Sequence, residues 1–319
     1  MQKILNKDKI FFLDDIEGEI RLDTFLQNHL HCSRNQITKM LKDEILLNGI
    51  KPKKNGILLK KNDKIEILEK IPPIKENKIL EIPILYEDEE ILILNKPMDL
   101  IVHKANQNDM QYTLVDYLND KGFKLSKLGD SYRNGILHRL DKGTSGAILI
   151  TKTNKAYEAL KEELQNRQMG RFYLCVINQA LKEDTTLEAN ILRHPKNRLK
   201  YITNPQGKSA KTSFYKLACN GEIELICARL FSGRTHQIRV HLAHLNRYIL
   251  GDAFYGYKGS YQKRILLHAY FMYLTHPLSK NKIEIYAPIE STMQDFIKEN
   301  FNHFSLENLP IFFHKIQNY

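Results

Sequence analysis

No apolar run in this sequence approaches the roughly 20 residues needed to span a bilayer as a helix. Residues 1–16 carry one short apolar patch, Ile10–Leu13, stopped at once by Asp14 and Asp15, so the apolar core of a signal peptide is missing. Cysteine is scarce, with four residues at 32, 175, 219 and 227, and no C-x-x-C pair occurs among them. A disulfide framework is not expected in so large a chain, and the usual ligand spacing of a zinc site is absent. Internal repeats and low-complexity tracts are missing too. These absences lead to the expectation of a cytoplasmic protein in a reducing compartment, with no membrane association and no metal. What is present is a chain of 319 residues, 42% hydrophobic and 27% charged, which suits a soluble globular protein of two domains. Its net charge is +11. Such an excess of Lys and Arg points to an anionic partner, nucleic acid before an anionic membrane surface, although a lysine-rich solvated exterior would look the same in composition.

The clearest boundary is Ile71-Pro-Pro-Ile-Lys-Glu-Asn-Lys78, where paired prolines disfavour helix and the polar residues after them cannot build a core. Before it, Leu22, Phe25 and Leu26 recur at helical spacing, as do Ile37, Met40 and Leu41. Ser33 with Gln36 forms a capping-box pattern at the start of the second helix, and Arg34, Lys39 and Lys42 fall off its apolar stripe. Ile45–Leu47, the turn Asn48-Gly49, a lysine-rich stretch to Lys61 and the alternating Asp63–Ile67 complete a helix pair with a small sheet. A basic rim on such a unit suits RNA backbone contacts, or simply a solvated charged face.

After the linker, strand signals dominate: Glu90–Leu94, Ala147–Ile150, Phe172–Ile177, Glu222–Leu230 and Lys282–Tyr286. One helix is expected over 154–164, with Ala156, Leu160 and Leu164 spaced by four and Thr153 as its cap. Strands outnumber helices without a βαβ rhythm, which predicts an α+β fold with a mixed, largely antiparallel sheet.

Two segments concentrate chemistry. In His138-Arg-Leu-Asp-Lys-Gly-Thr-Ser-Gly146 an acid is held by a glycine-bounded turn at the mouth of a buried strand, either to meet a ligand or to cap the turn. Gly143-Thr-Ser-Gly-Ala147 lacks the last glycine of a serine-hydrolase elbow, which removes Ser145 as a nucleophile. In Phe231–Leu242, the residues Arg234, His236 and Arg239 crowd around Gln237. Arginines beside a carboxylate would hold it ionised and bind phosphate at once, while the plainer alternative is a basic RNA-contact strand. His236 and His241 would fall on opposite faces of a strand, which argues against a shared metal.

The order of these segments carries a resemblance. Asn95-Lys-Pro97, His103, His138–Gly146, Gly207-Lys-Ser-Ala-Lys-Thr212, Gly233–His241, Leu250-Gly-Asp252, Leu266-Leu-His-Ala269 and His276-Pro277 resemble the RluA/RluC/RluD group of pseudouridine synthases over about 85–290. Arg21–Leu26, Ser33-Arg34, Leu47-Asn-Gly49 and Asn62–Ile65 look like an S4 RNA-binding domain. The implied organisation is an extension over 1–16, the S4-like domain over 17–70, a linker over 71–82 and the catalytic domain over 83–319.

The resemblance also implies roles. Asp141 matches the essential aspartate, Tyr173 a tyrosine stacked on the flipped uracil, and Arg239 the arginine paired with the aspartate. Arg139 matches an arginine that enters the base stack, and Leu266 or Leu267 an apolar residue under the base. His138, Arg234, His236, Arg34 and Lys39 are expected to contact RNA. The implied activity isomerises uridine to pseudouridine in RNA, with large-subunit (23S) ribosomal RNA or its precursor ahead of transfer RNA. A monomer without cofactor is expected. An idle RNA-binding or ribosome-assembly protein of the same fold is the competing reading. The sequence departs from the family pattern at Met98-Asp99, where a small residue and Gly are usual, at Arg171-Phe172, where Lys-x is usual, and at Asp43 or Glu44, where S4 domains usually carry Gly.

Overall fold

The computed structural model describes residues 9–13, 19–30, 37–38, 40–41, 44–52, 54–68, 81–104, 111–129 and 133–316. Two compact units divide the chain, residues 1–80 and 81–319.

In the first unit, β1 (Lys9–Phe12), β2 (Ile45–Leu47) and β3 (Lys64–Ile67) form an antiparallel sheet with β3 in the middle. The helix α1 (Leu22–Leu30) buries Leu22, Phe25 and Leu26 against Ile37, Leu41, Ile45, Leu59 and Ile65, one apolar stripe meeting the inward face of the sheet. Asn48 and Gly49 both take positive φ, 54° and 77°, as a tight hairpin turn requires. Ser33, Arg34, Lys39 and Lys42 lie outside the described residues, as does the linker over 71–78.

The second unit is built on one nine-stranded mixed sheet. Its strands are β4 (Ile84–Glu87), β5 (Ile91–Lys96), β6 (Ser145–Thr151), β7 (Gly170–Ile177), β8 (Thr185–Glu188), β11 (Lys211–Cys219), β12 (Glu224–Leu230), β13 (Leu267–Thr275) and β14 (Lys282–Tyr286). The order runs β4-β5-β6-β13-β7-β12-β11-β8, with β14 also pairing β13, and the pairings are antiparallel except β6 with β13. β9 (Ile191–Arg193) and β10 (Tyr201–Thr203) form a separate hairpin.

Strict alternation gives the sheet two buried faces. Phe172, Leu174 and Val176 of β7 pack on one face with Met293 and Ile297 of α5 (Ser291–Asn300) and Leu309 and Phe313 of α6 (Leu309–Ile316). Tyr173, Cys175 and Ile177 point to the other face, among Ile148, Ile150, Ile226, Ala228, Leu267 and Ala269. That second face is covered by Leu114 and Leu118 of α2 (Leu114–Asp120), by Leu140, and by Ile238 and Leu242 of α4 (Gln237–His244). The helix α3 (Asn154–Gln165) starts where expected, with Thr153 Oγ1 accepting from the Ala156 N–H at 3.1 Å. The plainer alternative of a strand over Phe231–Leu242 does not form: the segment is a loop followed by a helix. His236 at φ 59° turns the chain, and Ile238 and Leu242, four apart, bury one side of α4.

Candidate active site

Side chains alternate in burial along the segment before β6. His138 and Leu140 are buried while Arg139 is exposed and Asp141 half-buried. Leu140 anchors in the core, and the Thr144 N–H donates to Asp141 O at 3.0 Å to close the turn. A second strap comes from the loop after β5, where the Asp99 N–H donates to Lys142 O at 2.8 Å. Asp99 adopts φ 64°, a left-handed conformation that explains why Gly is usual there. Asp tolerates it, so that departure keeps the turn. Lys96 lies fully buried beneath, donating Nζ–H to the carbonyls of Pro97 at 2.7 Å and Leu100 at 2.9 Å. Burial pushes its pKa down to about 7, with Asp141 and Asp99 pulling the other way.

Around the Asp141 carboxylate a small pocket of about 40 Å³ gathers Tyr173 from β7, Leu267 from β13, Leu230 from β12, and Arg234, His236 and Arg239 from the loop and α4. Arg239 Nη1 lies 3.5 Å from Asp141 Oδ2. Its stronger partner is Asp252, reached by Nε at 2.7 Å and Nη2 at 2.8 Å in a two-point pair. Burial opposes the Arg239 charge, but Asp252 and then Asp141 outweigh it and raise the pKa above its ordinary value. Tyr255 and Phe254 lie under the guanidinium at 4.7 and 5.7 Å. His236 Nε2 stands 3.9 Å from Asp141 Oδ1, and its Nδ1 meets Tyr255 Oη at 2.8 Å. Burial lowers its pKa, partly opposed by Asp141. Tyr173 is 5% exposed, and burial raises its hydroxyl to about 12, so the ring enters the pocket as a neutral phenol.

The structure also sorts the remaining expected residues. Leu267 lines the pocket, whereas Leu266 points into the opposite core beside Phe172, because adjacent strand residues face opposite sides. Arg139 and Arg234 both rim the pocket, Arg234 Nε donating to Ser209 O at 3.0 Å. His138, expected to meet RNA, is turned inward, its Nε2 accepting from the Leu149 N–H at 3.0 Å. His241 is buried between Thr212 Oγ1 and Ala189 O. Ser145 is 2% exposed and occupied by His268 Nδ1 and Arg264 Nη2, each at 2.9 Å. Among the described residues no three His, Cys, Asp or Glu side chains form a metal-ligating group.

Three residues had motifs in the sequence but no assigned role. Asp252 and Lys96 stand in Leu250-Gly-Asp252 and Asn95-Lys-Pro97, and only the folded chain brings them to Arg239 and Asp141. Gln237 accepts from Ser232 Oγ and the Arg234 N–H and donates to Lys211 O and Thr212 Oγ1, all within 3.0 Å, so it pins the basic loop.

Residues 90–244 match the family model of RNA pseudouridylate synthase. The chain is 41% identical over 303 residues to an uncharacterized RNA pseudouridine synthase of Helicobacter pylori strain 26695, covering 91% of this chain and 92% of that protein. The chain belongs to the RNA pseudouridine synthase family. It is thus an isomerase acting on RNA. Ribosomal large subunit pseudouridine synthase D of Escherichia coli K12 is 34% identical over 287 residues, 83% of this chain and 86% of that protein. Human RNA pseudouridylate synthase domain containing 1 shares the fold with a TM-score of 0.55 at 22% identity, over 72% of this chain and 93% of that one.

Proposed function

We propose that the isomerase reaction takes place at Asp141, and that the target uridine lies in large-subunit (23S) ribosomal RNA. The observation that carries the first part is convergence: Asp141, Tyr173, Arg239 and Leu267, from four separated segments, line one pocket. The reaction breaks N1–C1′, turns the uracil and joins C5 to C1′; the C5 proton leaves and N1 gains one, with no net oxidation. A base inside a helix is out of reach, so it must be flipped at a cost of a few kcal/mol. Stacking on Tyr173, about 1–3 kcal/mol for a base on an aromatic ring, offsets part of this. Leu267 packs the base from beneath, and Arg139 on the exposed rim fills the gap in the RNA stack. Asp141 acts at the ribose, by attack on C1′ or by removal of a C2′ proton. Arg239, held by Asp252, fixes the carboxylate's position.

The name of the Escherichia coli relative supports ribosomal RNA as the substrate class. Residues 17–70 serve as an S4-like RNA-binding domain and 83–319 as the catalytic domain, joined by 71–82. That division is supported by the compact units split after residue 80.

The test is incubation with unmodified 23S and transfer RNA, followed by carbodiimide-based primer extension. Wild type is expected to mark a uridine in 23S RNA. Asp141→Ala is expected to mark none while binding RNA as before. Isomerisation by Asp141→Ala would remove Asp141 from the reaction, and marks confined to transfer RNA would overturn the substrate.

A further inference from the structure

Beside the Asp141 pocket lies a larger cleft of about 640 Å³, well inside the roughly 300–1,000 Å³ typical of ligand pockets. The two share Arg139 and Arg234 in their walls, so they lie side by side. Arg133, Arg139, Arg167, Arg171 and Arg234 line the larger one, and no Asp or Glu is among its described lining residues. Guanidinium groups gathered in one wall with no carboxylate lining it make the cleft electropositive and suit it to an anion.

Arg171 is the most telling of the five. It sits on β7, 5% exposed, and its Nε has no hydrogen-bond partner. Among the described residues no carboxylate pairs with it, and burial presses its pKa down, opposed only by Tyr173. A buried charge is ordinarily paired, because the desolvation penalty is otherwise uncompensated. The neighbouring Gly233 makes room for it: a Cβ there would stand 2.9 Å from Arg171 Nη1. His138 adds a second unmet donor. Its Nε2 accepts from Leu149, so in the neutral ring Nδ1 carries the proton, and Nδ1 is buried without a partner in the wall of the same cleft.

We infer that this cleft is a phosphate subsite, which takes an internucleotide phosphate of the RNA strand beside the reacting uridine. Arg171 and the His138 Nδ1–H donate to the phosphate oxygens, and Arg139, Arg167 and Arg234 enclose it from the rim. The inference rests on the reading that places the uridine at Asp141. It gives His138 an RNA contact through a buried donor rather than an exposed ring, and it explains why a guanidinium is kept inside the fold without a carboxylate.

The test uses the full chain and an unmodified 23S RNA fragment, in versions where one phosphate at a time carries an uncharged methylphosphonate linkage. Wild type is expected to lose about tenfold in affinity at one linkage near the target, the size of one charge-assisted contact. Arg171→Leu should bind the unsubstituted RNA about tenfold more weakly and be indifferent to that linkage. Its plot of log Kd against log salt should be shallower by about 0.7–0.9, the loss of one phosphate contact. Its melting temperature should not fall, since an unpaired buried charge has been removed. Arg167→Gln alters only an exposed rim residue and should weaken sensitivity to the same linkage. Wild-type affinity and unchanged linkage sensitivity in Arg171→Leu would overturn the subsite. Should Arg171→Leu fail to fold, the same two results in Arg167→Gln would overturn it. If a linkage effect is found but no pseudouridine forms in that RNA, the substrate reading falls and the subsite stands. If pseudouridine forms and no linkage matters, the subsite alone falls.

Discussion

At the scale of single residues, the proposed site leans on a buried pair, Arg239 with Asp252, that does not include Asp141, the proposed reacting group. Arg239 spends two of its donors on Asp252, which is 1% exposed, and turns the third toward Asp141. Removing one partner of a buried pair leaves a stranded charge and costs about 3–5 kcal/mol. Asp252→Asn is nearly isosteric and keeps one acceptor, so about 3 kcal/mol of lost stability is expected from urea unfolding. The functional effect should be separable. A guanidinium freed to swing by about 1 Å misplaces the carboxylate it faces, and such shifts lower turnover by about a hundredfold. Single-turnover kinetics should therefore show kcat falling with KM little changed. Unaltered turnover in a destabilised variant would mean that Asp252 holds the fold and not the Asp141 geometry.

At the scale of elements, the parallel contact between β6 and β13 brings the Asp141 turn and Leu267 together. Gly146 sits in it at φ 115°, and a Cβ there would fall 2.6 Å from Ala269 N. Gly146→Ala is therefore expected to part the strands or strain the backbone. It should appear as insoluble or early-melting protein, and a wild-type melting curve would refute the close approach. Such long-range contacts mark the limit of what the chain's own pattern reveals. Continuous apolar runs made β5, β6 and β7 legible, and spacing by four made α3 legible. Leu267–Thr275 carries only a motif whose alternation is masked, because both faces of β13 are buried and its apolar residues run together. The helices α2, α5 and α6 are short and polar on one side, so their pattern competes poorly with flanking loops. Resemblance supplied Asp141, Tyr173 and Arg239, but the choice between Leu266 and Leu267 needed the register of β13 on β7. The inward turn of His138 was not legible either: it adjoins the exposed, basic Arg139, yet its own ring is buried and accepts from Leu149.

At the scale of the whole molecule, folding and acid are linked through histidines kept neutral inside the sheet unit. His138 accepts at Nε2 from Leu149, and burial lowers its pKa to about 3. His268 donates Nε2–H to Ala287 O and accepts at Nδ1 from Ser145, with burial lowering its pKa to about 4. In the unfolded chain both return to about 6.5. Below that value the unfolded state takes up protons that the native state declines, so the native state loses stability as pH falls from about 6.5 toward 4. Each histidine contributes a slope of about 1.4 kcal/mol per pH unit, which makes a combined loss of about 4 kcal/mol by pH 5 an upper bound. Urea titrations at pH 7.5 and 5 should show the midpoint falling. His138→Gln, whose amide oxygen can still accept from Leu149, should have a shallower dependence by about half. An unchanged midpoint between the two pH values in the wild type would show that these rings take up protons inside the fold, and that the buried network around β6 is wetter than its geometry implies.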